Sequence, residues 1–128
     1  MVTGVIKLLL RVEGLALFIA AVFAYHWLGG SWWMFAALIL VPYLSFIGYA
    51  FGPKIGSIAY NAFHSTIGPL LLGCLGWWLD QDSEMIHILR DLGSFTALIW
   101  LAHIGFDRAV GYGLKYASAF KDTHLGRL

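Results

Sequence analysis

Four long apolar stretches alternate with short polar connections along this chain. They cover residues 8–28, 32–51, 58–79 and 88–110, and each is close to the roughly 20 residues that a helix needs to cross a bilayer. The connections hold turn-forming or charged residues: Gly29-Gly30-Ser31, Gly52-Pro53-Lys54 and the acidic run from Asp80 to Glu84, where Ser83 is a candidate helix cap. The pattern predicts an all-α fold, a bundle of four transmembrane helices.

Composition agrees with an integral membrane protein. Hydrophobic residues make up 60% of the 128 residues and charged residues only 12%. Four spans use most of the chain, so we expect a single domain over 1–128, with a tail over 111–128. A net charge of +1 without a basic cluster argues against nucleic acid as a partner, and the single Cys74 excludes a disulfide within the chain.

The basic residues predict how the bundle is oriented. If the four spans alternate in direction, every Lys and Arg except Arg90 lies on one side of the membrane. The positive-inside rule makes that side cytoplasmic, and both termini lie there. Trp and Tyr favour membrane interfaces, and their positions agree with this orientation. The predicted outer surface has Trp27, Trp32, Trp33, Trp77 and Trp78, and the inner surface has Tyr49, Tyr60, Tyr112 and Tyr116.

Polar side chains inside the apolar stretches fall at a similar depth. With a rise of about 1.5 Å per residue, Glu13 lies roughly one to two turns inside the cytoplasmic end of its helix, and His64 and His103 each lie roughly two turns inside theirs. Asn61 precedes His64 by three residues and His103 precedes Asp107 by four, so each pair shares a helix face. Because such groups are costly in hydrocarbon and usually pair or line a site, we expect them to meet.

The residue types in this group suit a metal ion. Neutral imidazole and carboxylate together bind zinc, iron or manganese, and the spacing of His103 and Asp107 lets both reach one divalent ion. We therefore predict His64, His103 and Asp107 as metal ligands. A bound ion would lower the pKa of a coordinated water to about 7, which predicts a hydrolase of a lipid or other amphiphile at the cytoplasmic face.

Other polar residues are candidates for supporting roles. Glu13 is predicted as a further ligand or a general base, and Asn61 as a catalytic residue. In the tail, Gly111 and Gly113 discourage continuation of the last helix, and Asp122 and His124 become candidate additional ligands if the tail folds back over the group.

Three alternatives remain open from the residues alone. The acids could form structural ion pairs, Glu13 with Arg11 or with a basic residue of another span, and Asp107 with Arg108. The chain could form a homo-oligomeric transporter or channel, although its polar groups are concentrated in the cytoplasmic half. It could also be a non-catalytic membrane scaffold whose glycines permit close helix packing. Membrane lipid is the expected partner in each case.

Five segments resemble those of a small bacterial membrane family that is catalogued only as a domain of unknown function. They cover residues 9–14, 29–33, 60–64, 102–108 and 120–127, and include Leu-Leu-Arg-Val-Glu-Gly, Tyr-Asn-Ala-Phe-His and Ala-His-Ile-Gly-Phe-Asp-Arg. The resemblance implies a four-helix, multi-pass protein of the bacterial cytoplasmic (inner) membrane and gives weight to these polar residues. It names no reaction.

One position departs from the pattern of that family. Its members tend to carry an aspartate in a Pro-Asp-Leu-Ser stretch, where this chain has Pro42-Tyr43-Leu44-Ser45. Tyr43 lies at a predicted depth similar to that of His64. We therefore expect Tyr43 to supply a phenol in the site, or its presence to remove a function that the aspartate performs.

Overall fold

The computed structural model describes residues 1–78 and 84–127 and is mostly helical. Its elements are α1 (Gly4–Trp27), α2 (Trp32–Leu38), a 3₁₀ helix (Val41–Phe51), α3 (Pro53–His64), α4 (Ile67–Trp78), α5 (Glu84–Val110), β1 (Asp122–Thr123) and β2 (Gly126–Arg127). The predicted all-α class is confirmed, with one two-stranded hairpin in the tail. Ser83 and the acidic connection before Glu84 lie outside the described residues.

Helix α5 is the centre of the molecule, because α1 and α4 both pack along it. The contact with α1 is close at two glycines: a Cβ on Gly105 would lie 2.5 Å from the backbone nitrogen of Phe18, and one on Gly14 would lie 2.6 Å from Cβ of Arg108. Arg11 adds a hydrogen bond, as its Nε donates to the carbonyl of Ala109 at 2.8 Å. These contacts fix where the polar end of α5 lies.

The second and third apolar stretches are not single α-helices. The second changes from α2 to the 3₁₀ helix around Ile39 and Leu40, and the third is interrupted at Ser65 and Thr66. Prolines explain both interruptions, since a proline ring has no N–H to donate and collides with the carbonyl four residues earlier. For Pro42 that carbonyl belongs to Leu38, the last residue of α2, and for Pro69 it belongs to Ser65.

Helix α5 supplies the hydrogen bonds that the two interruptions remove. His103 Nδ1 lies 2.6 Å from the carbonyl oxygen of Ile39, beside the first interruption. Trp100 Nε1 donates to the carbonyl of Phe63 at 2.6 Å, beside the second. These residues are three apart and share one face of α5, so a single helix face provides hydrogen bonds to both carbonyls.

Large apolar side chains cover the outside of the bundle. On α1 alone, Val5 is 82% exposed and Phe23 is 64% exposed, and further exposed apolar residues follow the helix at Ile6, Leu8, Leu9, Val12, Leu15, Ile19 and Trp27. By length and composition, one helical segment in the described part of the chain, Trp32–Phe51, is apolar enough to cross a membrane. The buried set is small and includes Tyr25, Tyr60, Ile99 and Ile104.

The tail folds back onto the bundle after α5 ends. Thr123 and Leu125 are fully buried, and the backbone N–H of Val2 donates to the carbonyl of His124 at 2.9 Å. Lys115 pairs with Thr123 in an isolated antiparallel bridge beside the hairpin. The tail therefore covers the end of the bundle at which α1 begins and α5 ends.

Candidate metal centre

Three buried side chains converge where α3 ends and α5 passes it. His64 is the last residue of α3, whereas His103 and Asp107 lie one turn apart on α5. Their exposed fractions are 3%, 2% and 1%. The Nε2 atoms of His64 and His103 are 3.1 Å apart. Asp107 Oδ2 lies 3.4 Å from His64 Nε2 and 3.5 Å from His103 Nε2. We call these three residues the triad.

The hydrogen bonds of the two histidines determine which ring nitrogens carry protons. His64 Nδ1 lies 2.8 Å from the carbonyl oxygen of Tyr60, and His103 Nδ1 lies 2.6 Å from that of Ile39. A carbonyl only accepts, so both Nδ1 atoms are donors, and in neutral imidazole each Nε2 then has a free lone pair. When both rings are neutral, two lone pairs and a carboxylate oxygen therefore face one another, and a cation between them, or a proton on one Nε2, removes their repulsion.

The sequence provides this arrangement through Pro42. The carbonyl of Ile39 would bond residue 42 in a 3₁₀ helix, but proline has no N–H, and the N–H of Tyr43 bonds Leu40 instead, at 3.1 Å. The Ile39 oxygen is left for His103. Backbone carbonyls that accept from the second nitrogen of a histidine are typical of metal sites, where they fix the tautomer and the ring orientation.

Two tyrosines cover the triad. Tyr43 donates to Asp107 Oδ1 at 2.5 Å, and Tyr60 donates to Asp107 Oδ2 at 3.4 Å. The ring of Tyr60 stacks on His64 with centroids 3.6 Å apart, and that of Tyr43 meets His103 edge-on at 4.4 Å. Tyr43 is therefore in contact with the predicted ligands. Tyr60 was not among the predicted site residues, although its position four residues before His64 places it on the same helix face.

Asn61 and Glu13 have other surroundings. The side chain of Asn61 binds the backbone of Lys115 in both directions, donating to its carbonyl at 2.9 Å and accepting from its N–H at 2.7 Å. Asn61 thus joins α3 to the tail. Glu13 is exposed on α1, outside the three residues whose ligand atoms converge, and its charge acts on Arg108.

The two tail candidates lie in the hairpin. Asp122 accepts from the Ser118 hydroxyl at 2.7 Å and lies 3.6 Å from Nε of Arg127. His124 Nδ1 accepts from the backbone N–H of Leu114 at 2.8 Å. Neither belongs to the convergent group that the described residues form. In this arrangement their contacts hold the tail together.

Acidification is expected to loosen the tail at His124. Burial first, and then the positive charges of Arg108 and the amino terminus, hold the pKa of His124 below its ordinary value of 6.5. The unfolded tail thus binds a proton at higher pH than the folded tail. The stability contribution is present above about pH 6.5 and is lost as the pH falls through the lowered pKa.

Hydrogen exchange at the Leu114 amide, corrected for its intrinsic rate, measures this effect. Exchange should accelerate below about pH 6.5 in the wild type. His124→Gln should abolish that pH dependence, whereas His26→Gln on the exposed face of α1 should preserve it. Protection that stays constant in the wild type through this range would show that His124 does not control the tail.

Comparison with known proteins identifies the domain. The family described as Domain of unknown function (DUF4260) matches residues 7–128. The chain belongs to this family. No curated protein and no solved structure matches it significantly. The expected resemblance to an uncharacterised family is thus confirmed. The matched region of this DUF4260 domain contains the triad, both tyrosines and the tail, so the candidate centre is part of the family domain.

Proposed function

We propose that this protein is a metal-dependent integral membrane hydrolase that acts on an amphiphile at the cytoplasmic face. One observation carries the proposal: two histidine Nε2 lone pairs and a carboxylate oxygen converge in a buried site, with both histidines oriented by backbone carbonyls. Burying three such acceptors together with neither a proton nor a metal cation between them is unfavourable, because their lone pairs and negative charge repel. A divalent ion stabilises the same arrangement.

The spacing of the three atoms favours zinc among the transition metals. Nitrogen and oxygen ligands about 2.0–2.1 Å from a tetrahedral zinc ion lie about 3.3–3.4 Å from one another. The triad separations are 3.1, 3.4 and 3.5 Å. Zinc sites with three protein ligands are typically catalytic, since the fourth position takes water or substrate. Iron and manganese share these ligand types and are the other candidates.

Membrane insertion in four spans, with both termini cytoplasmic, is supported by the surface and by charge. Exposed apolar side chains on α1 would be unfavourable in water over so large an area. The helix interruptions have their carbonyls bonded by α5, as irregular backbone in a membrane requires. The basic residues on the side of the termini favour a cytoplasmic location. Such a protein meets amphiphiles from the surrounding lipid.

Hydrolysis is the chemistry that the site supports best. Zinc lowers the pKa of a coordinated water to about 7, which supplies a hydroxide-like nucleophile near neutral pH. The water oxygen would add to an ester carbonyl or phosphoryl group, the bond to the leaving alkoxide would break, and the alkoxide would take a proton. Tyr43 and Tyr60 lie between the triad and an open pocket, where their hydroxyls can orient a substrate.

A chelation and reconstitution assay tests the proposal. Purified protein should hydrolyse an amphiphilic carboxyl or phosphate ester, lose activity with chelator and regain it with zinc. Asp107→Asn should lower the rate by about 100-fold, because it removes a ligand charge. Asp91→Asn, the same change at an exposed position of α5, should not. Zinc binding without hydrolysis of either ester class would instead support a metal-stabilised scaffold.

A further inference from the structure

A pocket lies directly beside the triad, on the other side of its two tyrosines. It has a volume of about 420 Å³ and is open to the outside. Its walls include the rings of Tyr43, Phe46, Tyr60 and Phe120, and its charged groups are Lys115 and Lys121. Pockets of a few hundred Å³ with apolar walls and a few polar groups are typical of small-molecule sites. We call it the tail pocket.

Lys115 is an unusual residue for such a wall, because it is buried. Only 4% of it is exposed, and its ammonium donates to the carbonyl of Phe120 at 2.6 Å. The ammonium lies 3.8 Å from the ring centroid of Phe120 and 4.8 Å from that of Tyr60. An ammonium has three N–H groups, and this carbonyl is the one oxygen acceptor found for them among residues 1–78 and 84–127.

The charge of Lys115 also lacks a close counter-ion. No carboxylate in the described part of the chain forms a salt bridge with it. The charge of Asp107 attracts it from farther away, but burial has the larger effect and lowers the pKa of Lys115 from the ordinary value of 10.5. Buried charges are usually paired, because taking an ion out of water is costly. None of the residues that line the tail pocket is acidic, and exposed Lys121 adds a second positive charge. The pocket thus has the charge that an anion requires.

We infer that the tail pocket binds a single-chain amphiphile through an oxyanion, a phosphate or a carboxylate, that Lys115 and Lys121 hold while the aromatic walls contact its chain. Because Tyr43 and Tyr60 touch both the pocket and Asp107, a ligand bound there lies next to the triad. This inference rests on the proposed function, since it makes an anionic amphiphile the substrate class of the metal centre.

Native mass spectrometry of metal-free protein in a neutral sugar detergent tests the inference. Dodecyl phosphate and dodecylphosphocholine are added at equal concentrations. One molecule of dodecyl phosphate should remain bound per chain, and the complex with it should be about ten times as abundant as that with dodecylphosphocholine, a difference that a charge-assisted hydrogen bond can provide. Lys115→Met should abolish the preference, since methionine fills the space without the charge. Lys54→Met, at an exposed lysine outside the pocket, should retain it.

Four outcomes would overturn the inference: no preference in the wild type, the same preference in Lys115→Met, equal displacement by inorganic phosphate, or binding that requires zinc. Equal displacement by inorganic phosphate would indicate a soluble anion as the ligand. Binding that requires zinc would place the anion on the metal, which leaves the proposed hydrolase intact. If Lys115→Met lowers the melting temperature, Lys121→Met provides the test, and a several-fold loss of the preference is expected. Selective binding to protein that never binds zinc would contradict the proposed function instead.

Discussion

Replacing either triad histidine with alanine is expected to abolish tight metal binding. Wild-type protein purified without chelator should contain about one zinc ion per chain, because three ligands converge at zinc-like separations. His64→Ala and His103→Ala each leave two ligands in a buried site. The affinity for zinc should fall by at least about 100-fold, because removing a ligand costs more than changing a residue that only orients one. Metal analysis by mass spectrometry after buffer exchange measures the content.

His87→Ala is the matched control, because His87 is exposed on the same helix as His103. Its metal content should equal that of the wild type. Zinc should also raise the melting temperature of the wild type but not of the two triad variants, since a ligand stabilises only the state that binds it. Zinc retained by both triad variants would place the ion elsewhere in the protein.

Gly105→Ala is expected to lower the free energy of unfolding by about 1–3 kcal/mol, as overpacking of a closely packed interface does. The added Cβ would lie 2.5 Å from the backbone nitrogen of Phe18 and 2.8 Å from the carbonyl oxygen of Gly14. Backbone atoms of α1 cannot move aside as a flexible side chain can, so the helices must separate. Thermal unfolding in detergent measures the change.

Gly93→Ala is the control, because it adds the same methyl group to the same helix. Its Cβ would meet Leu72 at 3.8 Å, an ordinary contact. Its melting temperature should stay near that of the wild type or rise slightly, because alanine is the better helix former. Equal stability of Gly105→Ala and the wild type would mean that α1 and α5 do not pack through these glycines.

The triad could be predicted from the sequence because its signals are local and additive. The spacing of His103 and Asp107 places both on one face of a helix, and the depth of His64 within its apolar stretch matches theirs. Ionisable side chains are costly in hydrocarbon and are usually found paired or lining a site, so these three residues are expected to meet. The structure brings these three together and leaves Glu13, which has a similar predicted depth, on the exposed side of α1. Depth does not determine the direction in which a side chain points.

The helix interruptions could be read only in part. Pro42 and Pro69 indicate that helix hydrogen bonds are lost near them, but the apolar stretch around each proline is continuous and favours a single helix. What stabilises the interruptions is distant in sequence: Trp100 and His103 on α5 bond the carbonyls of Phe63 and Ile39. Those bonds exist only after the helices have assembled. The hydrogen bond between His103 Nδ1 and the carbonyl of Ile39 also positions Nε2, the nitrogen that faces the triad.

The tail was the least predictable part. Gly111 and Gly113 indicate where the helix ends, but the later course of the tail depends on the two hydrogen bonds between Asn61 and Lys115. A half-buried asparagine that pairs with backbone is indistinguishable in sequence from one that contacts a substrate. Lys115 likewise reads as an interfacial basic residue, and its burial among aromatic rings depends on how the tail folds.

X-ray absorption at the zinc K-edge of the loaded protein shows directly whether the triad holds the ion. We expect a first shell of low-atomic-number ligands at about 2.0 Å, with the outer-shell scattering of two imidazoles. His103→Ala loaded with excess zinc should lose one imidazole, and His87→Ala should keep both. A spectrum without two imidazoles, or one unchanged by His103→Ala, would contradict a metal centre formed by His64, His103 and Asp107.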